Sequence, residues 1–98
     1  MPKDYPVERY PYMVVKPGQL PWERQYFTSH MAAKSKLREE ITAIADQFRP
    51  LDREIVENCD RIASAIGRLS SAGGSLDMEL DPYTETRYRV ELVRRRSA

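Results

Sequence analysis

The spacing of apolar residues changes period along this chain. Between Leu37 and Leu69 a large apolar residue recurs every seventh position, at Ile41, Phe48, Ile55, Ile62 and Leu69, and a second set lies between them at Leu37, Ile44, Leu51, Asn58 and Ala65. That spacing gathers the apolar side chains on one helix face, as a heptad seam does. Near the C-terminus the period drops to two: Tyr88, Val90 and Leu92 alternate with Arg87, Arg89, Glu91 and Val93, which predicts a strand over Thr84–Val93. At the other end Tyr10, Tyr12, Val14 and Val15 sit among prolines, and a short strand is expected near Arg9–Lys16. Pro11 restricts it to an edge or a short ladder.

Punctuation residues set the boundaries. Five of the seven prolines fall within residues 1–21, which excludes helix there and predicts an extended arm over 1–20. Pro17-Gly18 reads as a turn. Pro21 suits the first position of a helix, with Glu23 complementing the macrodipole and Trp22, Tyr26 and Phe27 forming an aromatic patch. His30 and Lys34 then occupy seam positions, so the stripe is weak until Leu37. Pro50 interrupts it, since a mid-helix proline costs about 3 kcal/mol. Helical segments are therefore expected over about 21–48 and 50–70, joined at Pro50 either as a kinked helix or as an αα-hairpin (βααβ). The heptad phase passes through Pro50 without slipping, which favours the kink. A continuous helix from Pro21 to Ser70 would be roughly 75 Å long, whereas the 71–83 linker could return at most roughly 43 Å. On the kinked reading the terminal strands pair with neighbouring molecules; on the hairpin reading they pair within one chain. Gly73-Gly74 is read as a helix stop and flexible joint, followed by an acidic stretch with Asp77, Glu79 and Asp81. The fold class that results is mainly α with short terminal β-strands. Residues 1–98 make one small domain, with strand and basic tail over 84–98.

Charge adds little attraction at long range. Charged residues make up 32% of the 98 positions, yet the net charge is +1, so a whole-molecule field for nucleic acid is not expected. Arginine outnumbers lysine twelve to four, which suits interfaces and paired carboxylates. One cysteine, Cys59, allows no intrachain disulfide and favours a reducing compartment. Met1–Tyr10 is too polar and proline-rich for a secretory leader, and no apolar run approaches the roughly 20 residues of a membrane span. A cytoplasmic location, or one within a viral particle, is expected.

Catalytic constellations are nearly absent. His30 and Cys59 are the only residues of their kinds and stand twenty-nine positions apart on helical sequence, so packing roles are expected for both. No nucleotide-binding fingerprint or zinc spacing occurs. Asp77, Glu79 and Asp81 faintly resemble the start of a calcium loop, without its turn glycine or closing glutamate; a solvated acidic stretch paired with nearby arginines is the expectation. No enzymatic activity and no cofactor or metal are expected. Arg94, Arg95 and Arg96, with Arg87 and Arg89, offer a phosphate-binding alternative, although only Tyr88 supplies an interleaved aromatic ring. The seam itself reads as a small core or as a coiled coil between chains. In a parallel dimer Glu40 would face Ala45 and Glu54 would face Cys59, so that pairing is poorly specified, whereas Asn58 could fix a register.

These features point to a small structural or adaptor protein acting in protein–protein assembly, as a homo-oligomer or a subunit of something larger. Phage-type structural subunits and small inhibitors have this economy, which is a class-level analogy. The partner-binding candidates are Tyr10, Tyr12 and Val14 of the arm, Trp22 and Tyr26 of the aromatic patch, Ile41, Phe48, Ile55, Ile62 and Leu69 of the seam, and Tyr88, Arg94, Arg95 and Arg96 of the C-terminal strand and tail. Nucleic acid is the alternative partner, and no membrane contact is expected. Ile55→Asp is expected to cost more stability than any surface substitution, because it forfeits about 2–3 kcal/mol of isoleucine burial and adds desolvation of a charge. An unchanged melting temperature would show that the seam is not buried.

Overall fold

The computed structural model describes residues 5–96. Four antiparallel strands and two helices follow in the order β1 (Tyr12–Val15), β2 (Gln25–Phe27), α1 (His30–Phe48), α2 (Arg53–Gly67), β3 (Gly73–Asp81) and β4 (Thr86–Arg94). The strands form one sheet in the order β2-β1-β4-β3. The fold is α+β, which corrects the expectation of a mainly α chain with short terminal strands. Arg94, Arg95 and the seam belong to that one sheet-and-helix body; residues 1–4 and 97–98 of the expected arm and tail lie outside the described residues.

Each departure from the expected boundaries has a local cause. Pro21 does start a helical turn, but only a 3-10 turn over Pro21–Glu23. The Glu23 carboxylate turns back to accept the Leu20 N–H at 2.8 Å, and Arg24 is already extended. Gln25-Tyr26-Phe27 then pairs with β1, in keeping with the β preference of its aromatics. Ser29 is the true helix start: its hydroxyl accepts the Ala32 N–H at 3.1 Å. The Gly73-Gly74 joint is the beginning of β3. Gly73 has φ +99°, and a Cβ there would lie 2.6 Å from the Leu92 carbonyl oxygen, so glycine is required by the close approach of β4. The acidic stretch is therefore strand, and the linker shrinks to the few residues after α2. The hairpin turn falls after Asp81, whose carboxylate accepts the Tyr83 N–H at 2.9 Å, as Asp81-Pro82 suggested.

Pro50 lies in the turn of a helical hairpin, not at a kink. Phe48 carbonyl accepts from both Leu51 N–H (2.9 Å) and Asp52 N–H (2.8 Å), and the Asp52 side chain caps α2 through the Glu54 and Ile55 N–H groups. The unbroken heptad phase carried no weight here, because each helix turns its own stripe to the sheet independently. Leu37, Ile41 and Ala45 of α1 and Ile55, Cys59, Ile62 and Ile66 of α2 pack on Tyr12 and Val14 of β1 and Tyr88, Val90 and Leu92 of β4. Leu51, at a predicted seam position, points to solvent in the turn. Asn58 fixes a different register from the one expected: its side-chain N–H donates to Leu80 carbonyl at 3.1 Å and pins α2 to β3. Lys34 is likewise buried and donates to Leu69 carbonyl at 2.9 Å, beyond the end of α2. Among the described residues no helix is long and apolar enough to cross a membrane.

The arm is therefore built into its own chain's sheet. β1 pairs with β4 through Tyr12↔Arg94, Met13↔Val93, Val14↔Leu92 and Val15↔Glu91, which was the pairing expected with a neighbour's strand. Deleting residues 1–16 should accordingly destabilise the fold itself. It removes buried Val14 and Tyr12, at least about 3–5 kcal/mol of burial, which is a large share of the stability of a domain this size. Hydrogen exchange on the truncated protein should show helical amides losing protection; helices that stay protected would contradict this packing.

Candidate functional site

The ladder between β1 and β4 stops for a chemical reason. Arg95 N–H donates to Pro11 carbonyl at 2.7 Å, so the odd-numbered pairs of this register are the hydrogen-bonded ones. The sequence of such pairs runs Pro11–Arg95, Met13–Val93, Val15–Glu91, and the next would join residue 17 to Arg89. Residue 17 is proline and has no N–H to give. Gly18, at φ +79°, then turns the chain away, and Gln19 closes the turn by bonding Lys16 N–H through its side chain at 2.8 Å. β4 nevertheless continues back to Thr86. The N–H and C=O groups of Arg87 and Arg89 face the position a longer β1 would fill, and none of them has a backbone partner on that side among the described residues.

This empty strand position has walls. α1 outruns β1: Glu40 meets Lys16, just past the end of β1, in a 2.7 Å ion pair, and two more helical turns carry Ile44 and Phe48 onward. Ile44, Gln47 and Phe48 of α1 and Ile55 of α2 line a shallow cleft with Leu80, Asp81 and Thr86 at the β3–β4 end of the sheet. On the opposite, helix-free face, a second shallow groove runs between Pro17 and Glu85 along Arg87 and Arg89. Tyr88 lies between these two arginines in sequence and turns its ring to the helices; burial, reinforced by the Glu40 carboxylate, pushes its phenol well above the usual range, so it stays protonated.

The opposite sheet edge is differently treated. β3 is nine residues long and leaves one side unpaired, but it carries Asp77, Glu79 and Asp81 and a register irregularity between Glu79 and Asp81. Charges and bulges of this kind discourage strand addition. Two copies of β3 laid antiparallel would oppose acid to acid, which is unfavourable. Asp77 instead holds both strand arginines, with 2.6 Å to Arg87 and 3.4 Å to Arg89. The hydrogen bond from Arg87 holds the Asp77 carboxyl below its ordinary range.

The predicted partner residues separate into three groups. Tyr12, Val14, Ile41, Ile55, Ile62 and Tyr88 are buried in the chain's own core, and Phe48 and Leu69 pack against it half-buried. Tyr10, Tyr26 and Arg95 meet on the helix-free face. Tyr26 stacks on Tyr5 at 4.5 Å, Tyr10 meets Tyr5 edge-on, and the Arg95 guanidinium lies 4.8 Å from the Tyr26 ring centre. Arg95 also donates to Tyr5 and Tyr10 carbonyls at 2.8 and 2.9 Å, so this group ties the N-terminal segment down. Trp22, Arg94 and Arg96 are exposed, Trp22 at 72%, and Arg94 approaches the Tyr12 ring. Cys59 is buried, which pushes its thiol up, and the His30 ring lies 5.9 Å from that of Tyr12. Among the described residues no group of acidic, histidine or cysteine side chains is arranged to hold a metal ion. Sequence reasoning missed Pro17, Ile44 and the main chain of Arg87 and Arg89 as site elements. The proline after Val14-Val15-Lys16 was the available signal.

Compared with known proteins, the chain matches no family model, no curated protein and no solved structure. The Asp77 pairing gives a pH prediction. Its folded-state pKa lies below the unfolded one, so the ionised form favours folding; the contribution is full above the ordinary carboxylate range and is lost as pH falls through the lowered value. Asp77→Asn should be slightly less stable than the parent at pH 7, with the gap in melting temperature closing on acidification. A gap that widens in acid would contradict the ion pair.

Proposed function

We propose that this protein is a small, non-enzymatic structural or adaptor subunit that joins a protein partner by strand addition at the open edge of β4. The observation that supports the reading is the mismatch in strand length: β4 spans Thr86–Arg94, whereas β1 accompanies it only from Glu91 to Arg94. An unpaired edge beside an apolar helix face is costly to leave bare and is a common docking mode for extended segments. The seam contributes indirectly: it forms the chain's own core, against which Ile44 and Phe48 pack half-buried at the far end of α1. A phosphate-binding role for the C-terminal arginines has less support, because Arg95 is engaged by tyrosine carbonyls and rings while Arg87 and Arg89 share Asp77.

Sedimentation of the protein isolated from its native cells tests the reading. A complex well above the chain's own 11.4 kDa, stable in high salt and free of nucleic acid, is expected. Free 11.4 kDa protein would overturn it, and a complex that carries nucleic acid and falls apart in salt would favour phosphate binding.

A further inference from the structure

We infer that the cleft between the α1–α2 turn and the β3–β4 turn seats one large apolar side chain from a partner protein segment whose flanking residues are basic. The site is separate from the open β4 edge, and it adds a contact of different chemistry to the assembly role. Two hydrogen bonds bring the turns together: the Asn58 side chain donates to the Leu80 carbonyl at 3.1 Å, and the Tyr83 hydroxyl donates to the Glu54 carboxylate at 3.3 Å. Between them Ile44, Phe48 and Leu80 stand half-buried around Ile55, which forms the floor. The cleft measures about 250 Å³, below the roughly 300–1,000 Å³ of small-molecule sites, so it suits a single side chain. Leu51 and Tyr83 stand in the two turns at 78% and 72% exposure. Each turn fixes its own residue: Leu51 N–H donates to the Phe48 carbonyl at 2.9 Å, and Tyr83 N–H to the Asp81 carboxylate at 2.9 Å. Apolar side chains held in water on an ordered backbone offer contact area at little further entropic cost.

Charge selects the occupant. Residues 46–57 and 81–86 hold six acids, Asp46, Asp52, Glu54, Glu57, Asp81 and Glu85, against two bases, Arg49 and Arg53, a net −4 in a chain whose total is +1. Arg49 pairs with Asp46, and Arg53 with Glu57. Arg87, next along β4, is held by Asp77. Asp52, Glu54, Asp81 and Glu85 have no cationic partner among the described residues. Three of these four gather around Tyr83: the Glu54 carboxylate, followed by that of Asp52, pushes its phenol up, and Asp81 adds to the same field. Asp52 and Asp81 accept backbone N–H groups, which leaves their charge in place. An apolar cleft with such a rim repels nucleic acid and anionic membranes, and it favours lysine or arginine beside the anchoring side chain. Two copies meeting through this end by a two-fold axis would set like fields against each other.

The test uses the full-length, isotope-labelled protein and three pentapeptides: Arg-Lys-Leu-Lys-Arg, Arg-Lys-Ser-Lys-Arg and Glu-Asp-Leu-Asp-Glu. The first should bind saturably and move the amide resonances of Ile44, Phe48, Leu80 and Thr86. Serine in place of leucine should weaken binding about tenfold, and the acidic peptide should also bind about tenfold more weakly. Glu54→Arg, checked for folding by its melting curve, should weaken the first peptide several-fold; the wild-type comparison stands without it. Equal binding of the leucine and serine peptides would reduce the site to a charged surface and overturn the inference. Resonance changes confined to other parts of the molecule, or no saturable binding of any peptide, would overturn it too. Sedimentation of the isolated protein over a range of concentrations tests the remaining occupant. Self-association that the first peptide competes away would place a second copy in the cleft and overturn the claim of a partner protein. Failure of the peptides leaves the strand-addition reading in place, because that reading is judged on the complex from native cells and on amide exchange along β4.

Discussion

The reversal at Arg49–Asp52 is the constraint on which the rest of the structure depends. The two central strands, β1 and β4, come from opposite ends of the chain. They can lie side by side only if the two helices between them double back. Pro50 forbids a continued helix, the Phe48 carbonyl gathers the Leu51 and Asp52 N–H groups, and Asp52 caps the new helix. Once α2 returns along α1, Leu37 and Ile41 face the sheet together with Ile62 and Ile66, and Val14 and Leu92 close the core from below. A modest core of this kind suffices because its largest residues are almost wholly removed from water, each worth about 1.5–3 kcal/mol.

The same geometry creates the open edge. α1 runs for nineteen residues, but the strand beneath its second half is missing because β1 has only four. Pro17 ends the ladder and Gly18 turns the chain toward β2, so α1 projects past its support. The protein guards its other edge with Asp77, Glu79 and a bulge. At the β4 edge Arg87 and Arg89 share Asp77, and their backbone groups have no backbone partner on the β1 side among the described residues.

Much of the core was legible from sequence. The heptad positions Ile41, Ile55 and Ile62 are buried, and the period-two stretch Tyr88–Leu92 faces inward as its alternation requires. Periodicity reports which face is buried without saying against what, so the seam was equally compatible with a neighbouring chain. The kinked-helix preference failed because heptad phase across a turn is coincidental, whereas Asp52 two residues after Pro50 was a genuine cap. Gly73-Gly74 misled because glycine marks close backbone approach as readily as flexibility; Gly73 lies against the Leu92 carbonyl. The Trp22–Phe27 patch was not helical because Ser29, a better N-cap than anything near Pro21, starts the helix later. The open edge was illegible for a different reason. It depends on which parity of β4 residues bonds to β1 and on where α1 lies above the sheet, and both are tertiary facts.

Residue-by-residue amide exchange along β4 in the isolated protein is the most direct measurement of that edge. Glu91 and Val93 bond to β1, whereas Arg87 and Arg89 point into the open position. Slow exchange at Glu91 and Val93, with exchange at Arg87 and Arg89 faster by orders of magnitude, is the expected result. Uniform protection from residue 87 to residue 93 in the free chain would mean that the position beside β4 is already filled, and would contradict the open edge.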